Sequence, residues 1–100
     1  MRGVPSARGK SYAEQFAGEL EDFSDRVRPQ LVLVSAGFDS HREDPIGSLG
    51  LEVEDFATLT TIVRDVASVH CQGRLVSVLE GGYNPPVLAE CVQMHLRGLL

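Results

Sequence analysis

The chain has no tryptophan, only two cysteines and three histidines in 100 residues, and no excess of basic over acidic groups. Nine Lys and Arg stand against fourteen Asp and Glu, a formal net charge of −5. The first thirty residues are balanced, so the surplus of acid falls entirely in residues 31–100. Such a balance argues against a nucleic-acid-binding surface. The longest unbroken apolar run, Leu31 to Val34, is far too short to span a bilayer. The opening residues lack the apolar stretch of a secretory signal. Neither nucleic acid nor membrane is therefore expected as a partner, and a cytoplasmic location is expected. Cys71 and Cys91 fall inside helix-like patterns and read as buried thiols of a reducing compartment, not as a disulfide or a zinc clip.

What is present is a folding composition: thirty residues are Leu, Ile, Val or Phe, well above the level of a disordered chain. Met1 to Lys10 carries Gly, Pro, Ser and Arg without periodicity and reads as loop or frayed terminus. Ser11 and Glu14 have capping-box spacing, and Tyr12, Phe16, Leu20, Phe23 and Val27 come next on one helical face, ended by Pro29. Leu31–Val34 is apolar at every position, the mark of a strand covered on both faces in a parallel sheet. A long polar loop, residues 40–50, leads to a helix over about Val53–Cys71, with Gly73 as a left-handed stop. Leu75–Leu79 is a second apolar strand. Asn84 can cap a third helix with Pro85 at its first position, and Leu88, Val92, His95, Leu96 and Leu99 form its buried face. A strand–helix–strand unit of this kind implies a parallel pair joined by a crossover.

Ligands of parallel α/β sheets bind outside the carboxyl ends of the strands. Two loops leave those ends here, Gly37–Gly50 with Asp39 and Glu80–Asn84 with Tyr83. Position alone leaves both residues open to plain readings: Asp39 as a turn former, Tyr83 as a packed aromatic, and the glycines as turn residues. Asp39-Ser40-His41 has Asp-x-His spacing, so His41 can be a metal ligand, a residue that orients a ligand or lines a substrate rim, or a solvated side chain. His70 and His95 lie on helix stripes among apolar neighbours and read as satisfied helix histidines. Glu43, Asp44, Glu52, Glu54 and Asp55 form either an acid-rich helix N-terminus or a rim that attracts a cationic substrate.

The strings Leu31-Val32-Leu33-Val34-Ser35-Ala36-Gly37-Phe38-Asp39, Asp44-Pro45-Ile46-Gly47 and Leu79-Glu80-Gly81-Gly82-Tyr83-Asn84 resemble two late signatures of the histone deacetylase family. That group includes bacterial acetylpolyamine amidohydrolases and acetoin-utilisation proteins. The resemblance runs from about Ser11 to the end. It implies the C-terminal part of a three-layer α/β arginase–deacetylase fold, in the order helix, strand, helix, strand, helix. It implies a zinc-dependent hydrolase of acetyl-lysine or acetylpolyamine amides, with Asp39 as a zinc ligand and Tyr83 as the donor to the oxyanion. Gly82 would border the acyl-lysine channel.

The same family takes its other two zinc ligands from an upstream Asp-x-His motif and its proton-transfer residues from an adjacent histidine pair. Neither motif occurs in these residues, because His41, His70 and His95 stand apart. The resemblance thus implies a piece of a longer domain. Its alternative is a catalytically inactive, truncated or degenerate deacetylase-like protein that acts at most as an interaction module. Zinc is expected in the complete domain and not as a tight ligand of this chain alone. Two strands with open edges and three helices are expected to be marginally stable in isolation.

Overall fold

A computed structural model describes residues 7–39, 41–45 and 50–100. Met1–Ser6, Ser40 and the Ile46–Gly47 half of the Asp44–Gly47 string lie outside the described residues. The elements are α1 (Ala7–Val27), β1 (Val32–Ala36), α2 (Val53–His70), β2 (Leu75–Leu79) and α3 (Pro85–Leu99). No helix among the described residues is long and apolar enough to cross a membrane.

Helix α1 begins at Ala7, a turn before the expected start, so Ser11 sits inside the helix instead of capping it. The support for the added turn is tertiary: Gly9 lies directly against the Asp55 carboxylate at the start of α2, and packing of this kind stabilises a turn that local pattern does not favour. Only a residue without a side chain fits there. The far end stops where Arg28 takes a left-handed φ of 54° before Pro29, since proline disfavours helical backbone in the residue preceding it. Helix α2 starts on a reciprocal capping box, with the Glu52 N–H donating to Asp55 Oδ2 at 2.7 Å. It ends through Gln72 and Gly73, both at positive φ.

The strands pair in parallel, Val32 opposite Leu75 through Ala36 opposite Leu79, with α2 as the crossover. Ala36, Phe38, Leu51, Phe56 and Cys91 form the buried core, and Val34, Leu59, Leu88 and Val92 pack on it. Phe38 meets Phe56 edge to face with ring centroids 5.3 Å apart, a favoured aromatic geometry. Apolar cover lies on one face of the pair. On the other, Leu33, Val76 and Val78 are exposed, Leu33 at 68%. The largely apolar strands therefore have one covered face, because among the described residues the helices supply no layer for the alternate side chains.

The covered side holds one polar knot. His95 of α3 is buried, with Nδ1 2.7 Å from Thr60 Oγ1 on α2 and Nε2 2.7 Å from Ser77 Oγ on β2. Thr60 already donates its hydroxyl hydrogen to the Phe56 carbonyl at 2.8 Å. Its oxygen must then accept from His95 Nδ1–H, and in the neutral ring Nε2 accepts from Ser77. The arrangement suits a neutral ring. Burial accordingly holds the His95 pKa below its usual 6.5.

Stability should depend on pH through that shift. An unfolded His95 binds a proton near pH 6.5 while the folded ring resists it, so stability is full above that pH and declines as pH falls through it. A His95→Gln variant should lose this component. Thermal midpoints at pH 7.5 and 5.5 check it: the wild-type chain should drop further than the variant, and an equal drop would contradict the assignment.

Candidate active site

The pairing continues past the strands into the two loops. Glu80 N–H donates to the Ala36 carbonyl at 2.9 Å, and Phe38 N–H donates to the Gly81 carbonyl at 2.8 Å. These bonds draw the Asp39 loop and the Glu80–Asn84 loop to a common rim at the carboxyl ends of β1 and β2.

Asp39 is half-buried, and glycines flank its carboxylate from both loops. A Cβ on Gly81 would lie 3.3 Å from Asp39 Cγ, and one on Gly37 would lie 3.3 Å from Asp39 Oδ1. The two glycines leave the carboxylate room against backbone. Gly82 has a different reason to be glycine. Its φ of 142° is in the region that side chains rarely adopt, and a Cβ there would come within 2.6 Å of Leu88 Cδ1. Tyr83 comes next, with an exposed side chain. Its backbone N–H donates to Asp44 Oδ2 at 2.7 Å, while Asn84 Nδ2 donates to the Glu43 carbonyl at 3.0 Å. Asn84 precedes α3 with no side-chain cap bond. The expected side-chain cap bond is absent, and the Asn84 side chain is turned to the neighbouring loop instead.

His41 lies inside the molecule, so it is not the solvated side chain of the plain reading. It is 3% exposed, stacks on Phe56 at 6.4 Å between ring centroids, and accepts the Glu43 N–H on Nδ1 at 3.0 Å. A parallel bridge to Leu51 holds its backbone. His70 Nε2 meets Asp25 Oδ1 at 3.2 Å, and His95 is held by Thr60 and Ser77. Cys71 and Cys91 are fully buried free thiols. Burial, with Glu90 nearby, pushes the Cys91 thiol from 9.0 up to about 12, far from a reactive thiolate.

Among the described residues no group of three His, Cys, Asp or Glu side chains converges as a metal site. A catalytic zinc takes three protein ligands, so the residues present do not by themselves fit that ion. Asp39 offers one donor. The acidic cluster is largely structural: Asp44 and Asp55 are buried and accept backbone N–H groups, and Glu52 pairs with Arg42.

Two features of the site region escape a reading of the residues alone. One is the Thr60–Ser77–His95 knot, whose only signal is a lone Ser between Val76 and Val78 together with Thr and His on helical core stripes. The other is the part played by Asp44, which reads along the chain only as one member of an acidic group and as the start of the Asp44–Gly47 string.

A parallel α/β unit with a glycine-flanked aspartate on one loop and a Gly-Gly-Tyr turn on the next defines the class. The structure superposes on the HD domain of HDA15 with a TM-score of 0.77 and 26% identity, covering 98% of this chain and 26% of that one. The histone deacetylase domain model matches residues 4–99, and the chain belongs to the histone deacetylase family. It is 41% identical over 95 residues to the type-2 histone deacetylase 1 of Dictyostelium discoideum, covering 95% of this chain and 6% of that protein. It is 49% identical over 89 residues to the human polyamine deacetylase HDAC10, covering 89% of this chain and 13% of that protein. With the histone deacetylase-like amidohydrolase of Pseudomonas aeruginosa the identity is 43% over 67 residues, 67% of this chain and 18% of the relative. The chain thus spans a small part of each relative's length.

The two loop glycines should differ in sensitivity. Gly81→Ala asks Asp39 to give by a few tenths of an ångström, whereas Gly82→Ala combines a contact with Leu88 and a forbidden φ. Gly82→Ala should destabilise by about 1–3 kcal/mol and Gly81→Ala by less. Urea midpoints give the order, and equal losses would contradict it.

Proposed function

We propose that this chain is the late segment of a zinc-dependent deacetylase that hydrolyses acetyl-lysine or acetylpolyamine amides, supplying Asp39 as one metal ligand and Tyr83 as the oxyanion donor. The observation that carries the reading is the common rim: a carboxylate set between Gly37 and Gly81, beside the loop that bears an exposed Tyr83. Zinc, when bound in a complete domain, supplies Lewis-acid polarisation of the amide carbonyl and an activated water.

The chain's own residues would divide the remaining work. The Asp39 carboxylate is a hard oxygen donor of the kind that suits zinc beside imidazole. The Tyr83 hydroxyl donates a hydrogen bond to the acyl oxygen. That bond strengthens as negative charge develops there, so it lowers the barrier more than it tightens binding. Asp39 and Tyr83 leave proton transfer to residues outside this segment, which would deliver a proton to the leaving nitrogen as acetate and free amine form. The second reading, an inactive deacetylase-like chain, is favoured by the lack, among the described residues, of any group of three side chains that could hold a metal. The two readings agree on the isolated chain and differ on what its residues do inside a full domain.

A segment exchange separates them. The matched segment of the Pseudomonas aeruginosa amidohydrolase, replaced by the corresponding residues of this chain, should keep zinc and deacetylate an acetyl-lysine peptide or an acetylpolyamine. In that protein Tyr83→Phe should lower kcat by about 10²–10³ with zinc content unchanged, and Asp39→Ala should lower zinc content. Undiminished kcat in the Tyr83→Phe form would overturn the proposed role.

A further inference from the structure

We infer that Asp44 is the positioning residue for Tyr83, holding the tyrosine by its backbone and not by its ring; this rests on the role proposed for Tyr83. Asp44 is 6% exposed, and its Oδ2 accepts the Tyr83 N–H at 2.7 Å across 39 residues of sequence. A carboxylate acceptor makes a shorter and stronger bond than a neutral one. A second bond runs beside it, from Asn84 Nδ2 to the Glu43 carbonyl at 3.0 Å. Two consecutive residues of the tyrosine loop are thereby tied to two consecutive residues of the aspartate loop, in reverse order.

The need for such a clamp arises from the sequence before it. Gly81-Gly82 has little conformational preference of its own, and the Tyr83 side chain is exposed, so nothing intrinsic to the loop fixes where the tyrosine stands. Asp44 itself is well fixed. Its N–H donates to the His41 carbonyl at 3.0 Å, and the His41 N–H donates to the Phe38 carbonyl at 3.3 Å. Pro45 restricts its backbone further. Phe38 in turn donates to Gly81. Asp39 and the clamp on Tyr83 therefore belong to one wound turn, which refers the tyrosine to the same frame as the proposed metal ligand. Catalytic geometry tolerates errors of well under an ångström before rates fall. Asp44 acts on this geometry without touching substrate.

The test uses the chain as it is, isotopically labelled, and reads backbone amides by NMR. In the unmodified chain a through-bond coupling should connect the Tyr83 nitrogen with Asp44 Cγ, and the Tyr83 amide should exchange slowly. In Asp44→Ala the Tyr83 amide should exchange about tenfold faster while amides of β2 and of α3 beyond its first turn hold their rates within about twofold. Asp44→Asn retains an acceptor oxygen and should restore much of the protection. Absence of the coupling overturns the inference even if Asp44→Ala does not fold. Unchanged Tyr83 exchange in the alanine variant, or an equal loss throughout β2 and α3, overturns it as well. None of these readouts depends on activity, so failure of the clamp is distinguishable from failure of the role proposed for Tyr83, which the segment exchange reports.

Discussion

The parallel pairing of β1 with β2, carried beyond both strands by the Glu80–Ala36 and Phe38–Gly81 backbone bonds, is the constraint on which the rest of the structure depends. Parallel strands send their following loops to the same edge. The register does more than choose the edge. It brings Gly81 against the Asp39 carboxylate and leaves the next residues within reach of Asp44 and Glu43. A slip of one residue would turn the core face of a strand outward and separate the glycine from the aspartate it accommodates.

Packing holds that register from one side. The Phe38 ring meets both Phe56 and His95 edge to face, so the residue just before Asp39 is buried against α2 and α3. His95 ties α3 to α2 through Thr60 and to β2 through Ser77. Each polar atom of the knot has its partner, which is the condition for burying such groups without a large penalty. The other face of the sheet carries Leu33, Val76 and Val78 without cover. An antiparallel sheet with one wet face alternates apolar and polar residues, whereas these strands keep apolar residues on both faces.

Much of this was legible in the residues. The runs Leu31–Val34 and Leu75–Leu79, separated by a helical stripe that begins with Val53 and Phe56, define the β–α–β unit. The strings around Asp39 and Tyr83 define the family. What was not legible depended on contacts between distant residues. Gly9 reads as part of a loop or frayed terminus until Asp55 is beside it. Asn84 reads as a helix cap until its side chain is found turned to the Glu43 carbonyl. His41 has ligand spacing along the chain, yet the Leu51 bridge and the Phe56 ring hold it in the interior. In each case local propensity pointed one way and a tertiary contact determined the outcome.

On the proposed reading, the segment brings one metal donor and one oxyanion donor to a rim whose remaining donors would come from outside it. Calorimetric titration of the purified 100-residue chain with zinc at neutral pH tests this most directly. A single carboxylate competes poorly with water for zinc, so no saturable stoichiometric uptake is predicted. Tight one-to-one binding abolished by Asp39→Ala, accompanied by turnover of an acetyl-lysine peptide, would contradict it.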